Sequence, residues 1–296
     1  MEIPNARKGP RERLYLLHET KYTYSRPVTF TPHRLVLRPR EGHDVQLETM
    51  NLETSPASTI RWYRDILDNS IAIAEFTESA SELTIRSEFI IELPPAENGN
   101  QSPLYVAYPP LVAGIDELVT VPYRQFTYPP AVDRLRRWFS SNGLSPATGV
   151  QRPIFDELTG LIFRTIRYNR REEHGVQSPT TTLDLASGSC RDMAVLMIET
   201  ARAMGFPARF VSGYLESENS RVGRGSTHAW AEIYLPDLGW TGYDPSIGRR
   251  IGPGHVAVGV SHHPRSVMPV TGGFTGYAGV GSSLIVTIST KRLPPP

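Results

Sequence analysis

The sequence predicts an α+β protein in two parts: a β-sandwich-like N-terminal unit, then a second unit in which helices come before strands. Three observations carry that prediction. Apolar and polar residues alternate with a period of two just before residue 94, prolines crowd the stretch that follows, and beyond it apolar spacing turns helical before giving way to β-branched and aromatic segments.

The clearest strand is Leu83, Ile85, Phe89, Ile91 and Leu93, alternating with Thr84, Arg86, Glu88 and Glu92. Leu67-Asp68-Asn69-Ser70, between Ile60-Arg61-Trp62-Tyr63 and Ile71-Ala72-Ile73-Ala74, predicts a hairpin turn. A β-rich unit is therefore expected over residues 1–93. Pro94, Pro95, Pro103, Pro109, Pro110, Pro122, Pro129 and Pro130 mark residues 94–130 as a surface-wrapping linker. The second unit, 131–296, opens with helices at Val132 to Phe139 and along the face Ile154, Phe155, Leu158, Leu161, Ile162 and Ile166. Asp192 to Met204 is a third helix, ended by Gly205-Phe206-Pro207. Strands are expected at Ala208 to Leu215, Thr227 to Leu235 and Trp240 to Asp244, with a turn at Pro236 to Gly239. A closing strand around Leu284, Val286 and Ile288 completes the second unit, and no internal repeat is evident.

With 31 Lys and Arg against 30 Asp and Glu, the chain has no protein-wide field suited to nucleic acid or an anionic membrane. A polypeptide or small-molecule partner follows. The polar N-terminus through Glu19 lacks the apolar stretch of a secretory signal, and no segment reaches the roughly 18 apolar residues of a membrane span. Glu199 and Arg202 interrupt the most apolar helix. The expectation is a soluble, cytoplasmic protein of undetermined oligomeric state. One cysteine excludes an intrachain disulfide and leaves Cys190 as the only thiol to explain.

Cys190 sits in Ser187-Gly188-Ser189-Cys190-Arg191-Asp192, where a glycine-containing turn becomes a helix. Free N–H groups and the helix dipole at such an end favour a thiolate and can hold the oxyanion it makes on attacking a carbonyl. A core cysteine belongs on the apolar stripe of the helix, whereas this one precedes it. The base and its orienter are expected in His228, which opens one strand, and Asp244, which closes the next. A four-residue loop would pair Leu235 with Trp240 and set His228 opposite Ile247. A three-residue loop or a one-residue bulge is needed to bring Asp244 to the same face. His262-His263 lacks the surrounding ligand set of a zinc site. Glu232 reads as a strand-face residue and Asp192 as a first-turn partner of the helix dipole.

The motifs Gly188-Ser189-Cys190-Arg191-Asp192, Gly205-Phe206-Pro207-Ala208-Arg209-Phe210-Val211-Ser212-Gly213-Tyr214-Leu215, His228-Ala229-Trp230-Ala231-Glu232 and Asp244-Pro245 resemble the core of bacterial transglutaminase-like proteins. His18 to Pro27 and His33 to Arg40 are similar to the β-rich N-terminal domain of one bacterial subgroup. The resemblance implies a papain-like, transglutaminase-like core with Cys190 as nucleophile, His228 as base and Asp244 as orienter. It also implies an amide-bond enzyme, a peptidase, amidase or acyl transferase working through a thioester on a peptide or protein. A cross-linking transglutaminase is the alternative, and a noncatalytic binding protein on the same fold is the alternative of another class. The chain departs from the subgroup at His262 to Pro269, where an acidic residue often precedes Val-x-Pro. It also lacks the tryptophan of animal enzymes upstream of the cysteine, for which Tyr168 is the stand-in beside the oxyanion. No acidic cluster suggests calcium, and neither metal nor cofactor is expected.

Overall fold

The computed structural model describes residues 11–95, 101–110, 112, 114–145, 147–171, 173, 175–222, 225, 227–236, 238–276 and 278–294. The first ten residues of the polar N-terminus, seven residues of the proline-rich stretch and Asp237 in the expected turn lie outside them.

Six strands come first: β1 (Glu12–Phe30), β2 (His33–Leu35), β3 (Gln46–Ser55), β4 (Ser58–Arg64), β5 (Ser70–Phe76) and β6 (Ser79–Leu93). β1, β6 and β3 are neighbours in one antiparallel sheet and β2, β5 and β4 in another. Alternation in β6 has the expected result, with Leu83, Ile85, Ser87, Phe89, Ile91 and Leu93 all buried. Leu83 and Ile85 meet Leu35, Leu37, Ala72 and Ala74 of the second sheet in one apolar layer. The β4–β5 hairpin is present, but its loop runs from Asp65 to Asn69, because Arg64 pairs with Ser70. Asp65 Oδ1 accepts from the N–H groups of Leu67 and Asn69, both at 2.9 Å, and closes the loop two residues early.

The remaining chain supplies α1 (Ile115–Arg124), α2 (Val132–Ser141), α3 (Ile154–Thr165), β7 (Arg167–Tyr168), α4 (Pro179–Leu185), β8 (Ser187–Gly188) and α5 (Cys190–Ala203). It continues through β9 (Ala208–Leu215), α6 (Glu218–Arg221), β10 (Thr227–Leu235), β11 (Gly239–Asp244), β12 (Arg249–Arg250) and β13 (His255–Ser261), and ends in β14 (Val270–Thr271), β15 (Phe274–Thr275) and β16 (Ser282–Leu293). The order β12-β11-β10-β9-β13 forms an antiparallel sheet, with α5 packed across β10 and β9. Met193, Leu196, Met197 and Ala201 of α5 join Phe155, Phe206, Ala231 and Ile233 in its core. Among the described residues no helix is long and apolar enough to cross a membrane.

The strand expected to close the second unit does not do so. β16 instead runs antiparallel to β1 from Arg13↔Leu293 to Tyr24↔Ser282, inside the N-terminal sheet. Period-two patterning identifies a strand but says nothing about its partner, and the open edge of β1 takes this one. The two units also share an apolar layer, in which Tyr214, Val256 and Val258 pack with Leu14, Leu16, Phe89, Ile91 and Ile288.

The stretch expected as linker contains α1, and two charges on α5 anchor it. Glu199 and Arg202, read from sequence only as interruptions of an apolar helix, are both buried and pair at 2.6 Å. The Glu199 carboxylate accepts from the N–H groups of Thr127 and Tyr128. Arg202 donates to the carbonyls of Tyr123, Ala208 and His262 and to Thr127 Oγ1. Every donor of the guanidinium that points inward thus reaches an acceptor on another segment. Arg202→Met should therefore cost about 3–5 kcal/mol by leaving the Glu199 charge buried and alone. Urea denaturation measures this, and the loss should shrink when Glu199→Gln is added.

Candidate active site

α5 begins at Cys190 rather than at Asp192, and Asp192 is the reason. Ser189 is the N-cap, and its hydroxyl and backbone N–H both donate to Asp192 Oδ2 at 2.8 Å in a capping box. Arg171 Nη1 donates to both carboxylate oxygens, at 2.8 and 2.9 Å, and the Gln177 N–H donates to Oδ1 at 2.7 Å. Burial works against this charge and the hydrogen bonds outweigh it, so the Asp192 carboxyl is held below its usual range. Gly188 leaves room for it, since a Cβ there would lie 2.8 Å from the Asp192 Cβ. Asp192 is thus more than a dipole partner: it ties Arg171, Gln177 and the turn before Cys190 to the helix start. Cys190 is left as the first residue of the helix, 6% exposed.

β10 and β11 solve the register problem with the shorter loop. Leu235 pairs with Gly239 and Ala231 with Tyr243, which sets Asp244 beside Trp230 and diagonally across from His228, on one face. His228 Nε2 donates to Asp244 Oδ2 at 2.6 Å. Cys190 is the second side chain that interacts with this imidazole. Burial pulls the imidazole pKa down, but the hydrogen bonds with Asp244 and Cys190 overcome it, and the His228 pKa is pushed up to about 10. Asp244 is wholly buried. Burial opposes its charge, yet hydrogen bonds from His228 and His255 prevail and hold the carboxyl well below the usual range.

Asp244 has four donors. Besides His228, His255 Nε2 reaches Oδ2 at 3.1 Å, while Ser246 gives Oδ1 its N–H at 2.9 Å and its hydroxyl at 2.7 Å. His255 and Ser246 were not found by sequence reasoning. The available signal was a histidine opening the run His255-Val256-Ala257-Val258, shortly after Asp244. The ligating atoms of His228, Asp244 and His255 lie within 4.8 Å of one another, the one such grouping among the described residues. Oδ2 already accepts both imidazoles, so a cation would have to displace those hydrogens.

Tyr168 lies on β7, paired in parallel with Gly188 of β8, two residues before Cys190, and is half exposed. Burial first, and then the charge of Cys190, raise its phenol pKa. His262 and His263 do not gather ligands: His262 Nε2 bonds the Gln125 carbonyl and His263 Nδ1 accepts from the Arg265 N–H. Glu232 pairs across the strands with Arg209, whose guanidinium stacks 4.1 Å over Trp240.

A thiol, an imidazole and a buried carboxylate brought together in this way can act chemically as nucleophile, base and orienter. Both units of the chain have counterparts among known proteins. Residues 14–92 match the bacterial transglutaminase-like N-terminal region and residues 149–245 the transglutaminase-like superfamily core. An uncharacterized protein of Mycobacterium tuberculosis is 27% identical over 280 residues, covering 88% of this chain and 87% of its own. A solved structure from Cytophaga hutchinsonii, described as a proposed cysteine protease, superposes with a TM-score of 0.71 at 15% identity, over 97% of this chain and 94% of that one. A shorter likeness, 38% identity over 69 residues, joins 21% of this chain to 10% of a protein-glutamine gamma-glutamyltransferase of Pseudomonas aeruginosa.

The charged pair has a pH signature. Because the His228 pKa rises on folding from 6.5 to about 10, its stabilisation is complete below about pH 6.5 and is lost as pH climbs toward 10. The Asp244 contribution has the opposite limit, lost only as acid protonates a carboxyl held below its usual value. Melting temperature should accordingly fall between pH 6.5 and 10 more steeply in the wild type than in His228→Gln. Parallel curves would show that the imidazole is not held charged.

Proposed function

The chain belongs to the transglutaminase-like superfamily, with the core set behind a bacterial transglutaminase-like N-terminal region, and on that premise we propose that it is a cysteine-dependent amide-bond enzyme with Cys190, His228 and Asp244 as its triad. The observation that carries this reading is the 2.6 Å bond from His228 Nε2 to the buried Asp244, with Cys190 as the second side chain that acts on the same imidazole. An imidazolium beside a thiol stabilises the thiolate.

In the proposed reaction the Cys190 sulfur attacks the carbonyl carbon of an amide and the carbonyl electrons move to oxygen. The Cys190 N–H, at the first turn of α5 where a helix has no acceptor of its own to offer, is the proposed donor to that developing charge, with Tyr168 as a proposed second contact. As the tetrahedral centre collapses, the C–N bond breaks and His228 gives its proton to the leaving amine, which leaves a thioester on Cys190. The neutral imidazole then takes a proton from the acceptor, and the thioester passes its acyl group on. Water as acceptor gives a peptidase or amidase, and a primary amine gives an acyl transferase. Asp244 holds the imidazole ring and balances its charge throughout.

Peptide or protein amides are the proposed substrates. A peptide-amide library, read by mass spectrometry with and without an added primary amine, tests the reaction and identifies the acceptor. Cys190→Ala should abolish every product while leaving the melting temperature within a few degrees. Asp244→Asn should lower turnover by roughly 100-fold or more with less effect on KM. Normal turnover by Cys190→Ala would refute the mechanism, and normal turnover by Asp244→Asn would reduce the triad to a dyad.

A further inference from the structure

A carboxylate that orients a catalytic imidazole has to be held as firmly as the imidazole itself, because rotation of the carboxyl group carries the accepting oxygen out of line. In this site the two oxygens of Asp244 are held differently. Oδ1 is fixed locally by Ser246, two residues along the same turn. Oδ2, the oxygen that His228 uses, is fixed from a separate strand by His255.

The seat of His255 is itself determined. Its Nδ1 accepts the Gly252 N–H at 3.2 Å, so the proton of the neutral ring is on Nε2, the nitrogen that faces Asp244. The Trp230 indole meets the ring edge to face, with centroids 5.3 Å apart and planes at 83°. Gly213 makes that indole position possible, since a Cβ there would strike both the Trp230 ring and the Val256 carbonyl. The strand behind the ring is fixed by the N-terminal unit. Val256 and Val258 of β13 are buried among Leu14, Leu16, Phe89 and Ile91, and the Ala257 carbonyl accepts the Arg40 N–H at 2.8 Å.

We propose that His255 is a positioning residue of the thiol site, a second imidazole that pins Asp244 Oδ2 for His228 and is itself held in place by the packing of β13 on the N-terminal β unit. This rests on the triad reading above and extends it. The line becomes Cys190, His228, Asp244, His255, with the last member donating an N–H and exchanging no proton with substrate. The N-terminal unit thereby acquires a part in the chemistry without contributing a residue to the reacting centre.

The test uses the full chain and iodoacetamide, which reads thiolate reactivity without any knowledge of the substrate. Labelling of Cys190 is followed by mass spectrometry from pH 4 to 9, with folding checked by circular dichroism. His255→Leu fills the space but donates nothing, and it should slow labelling at pH 6 roughly tenfold and move the acid limb of the profile to higher pH. His255→Gln places an amide N–H near the position of Nε2 and should restore labelling to within about threefold of wild type. If His255→Leu does not fold, His255→Asn, whose amide is too short to reach Asp244, replaces it with the same expected loss. A non-donor variant with wild-type rate and profile would overturn the role of His255 alone. Equal losses in the glutamine and non-donor variants would overturn it too, since the donated hydrogen would then not be what matters. A wild-type thiol no faster at pH 6 than an ordinary cysteine would sink the triad reading and this role together.

Discussion

A carboxylate removed entirely from water needs donors to replace the hydration it has lost, and Asp244 meets that demand with four. The donors come from β10, from the turn after β11 and from β13, so the sheet has to present three separate segments at one point. The three-residue β10–β11 loop, the small residue at Gly213 and the entry angle of β13 all follow from bringing those segments together. If one donor is missing, the charge is under-compensated. With all of them present, the negative charge is fixed in place and an imidazolium can be held beside it.

A second buried carboxylate does the same on the other side of the sulfur. Asp192 collects Arg171, Gln177 and Ser189, and by doing so determines where α5 starts and which residue stands first in it. Cys190 and His228 therefore sit on two frames, a helix entrance and a sheet end, each assembled around an anion. α5 packs directly on β10, so the two frames form a single body and the relation between sulfur and imidazole is set by core packing rather than by a loop.

The sequence exposed those parts whose cause is local. Period two in β6 and the apolar stripe of α5 are properties of the residues themselves, and both elements appear where the pattern places them. The start of α5 was misread by two residues because apolar spacing is blind to caps, although Ser189-Cys190-Arg191-Asp192 carries the capping-box pattern. The β10–β11 register stayed open between a bulge and a short loop, since nothing in Pro236 to Gly239 decides between them. Non-local features were hidden. No local signal shows that Ser282–Leu293 will choose β1 over the second sheet, that Glu199 and Arg202 will find partners 60 or more residues away, or that His255 will return to Asp244.

The pairing of β1 with β16 also bears on the order of events during synthesis. β1 leaves the ribosome long before β16, so one of its two edges is completed by residues made about 260 to 280 positions later. Until then the nascent chain carries a long strand with one side unpaired, the kind of edge that recruits other strands. Loop closure over such a separation makes this pairing slow and late, so the N-terminal sheet is the first to begin and among the last to finish. The closing strand also delivers Ile288 into the layer that supports β13. The layer beneath β13 is therefore incomplete until β16 docks.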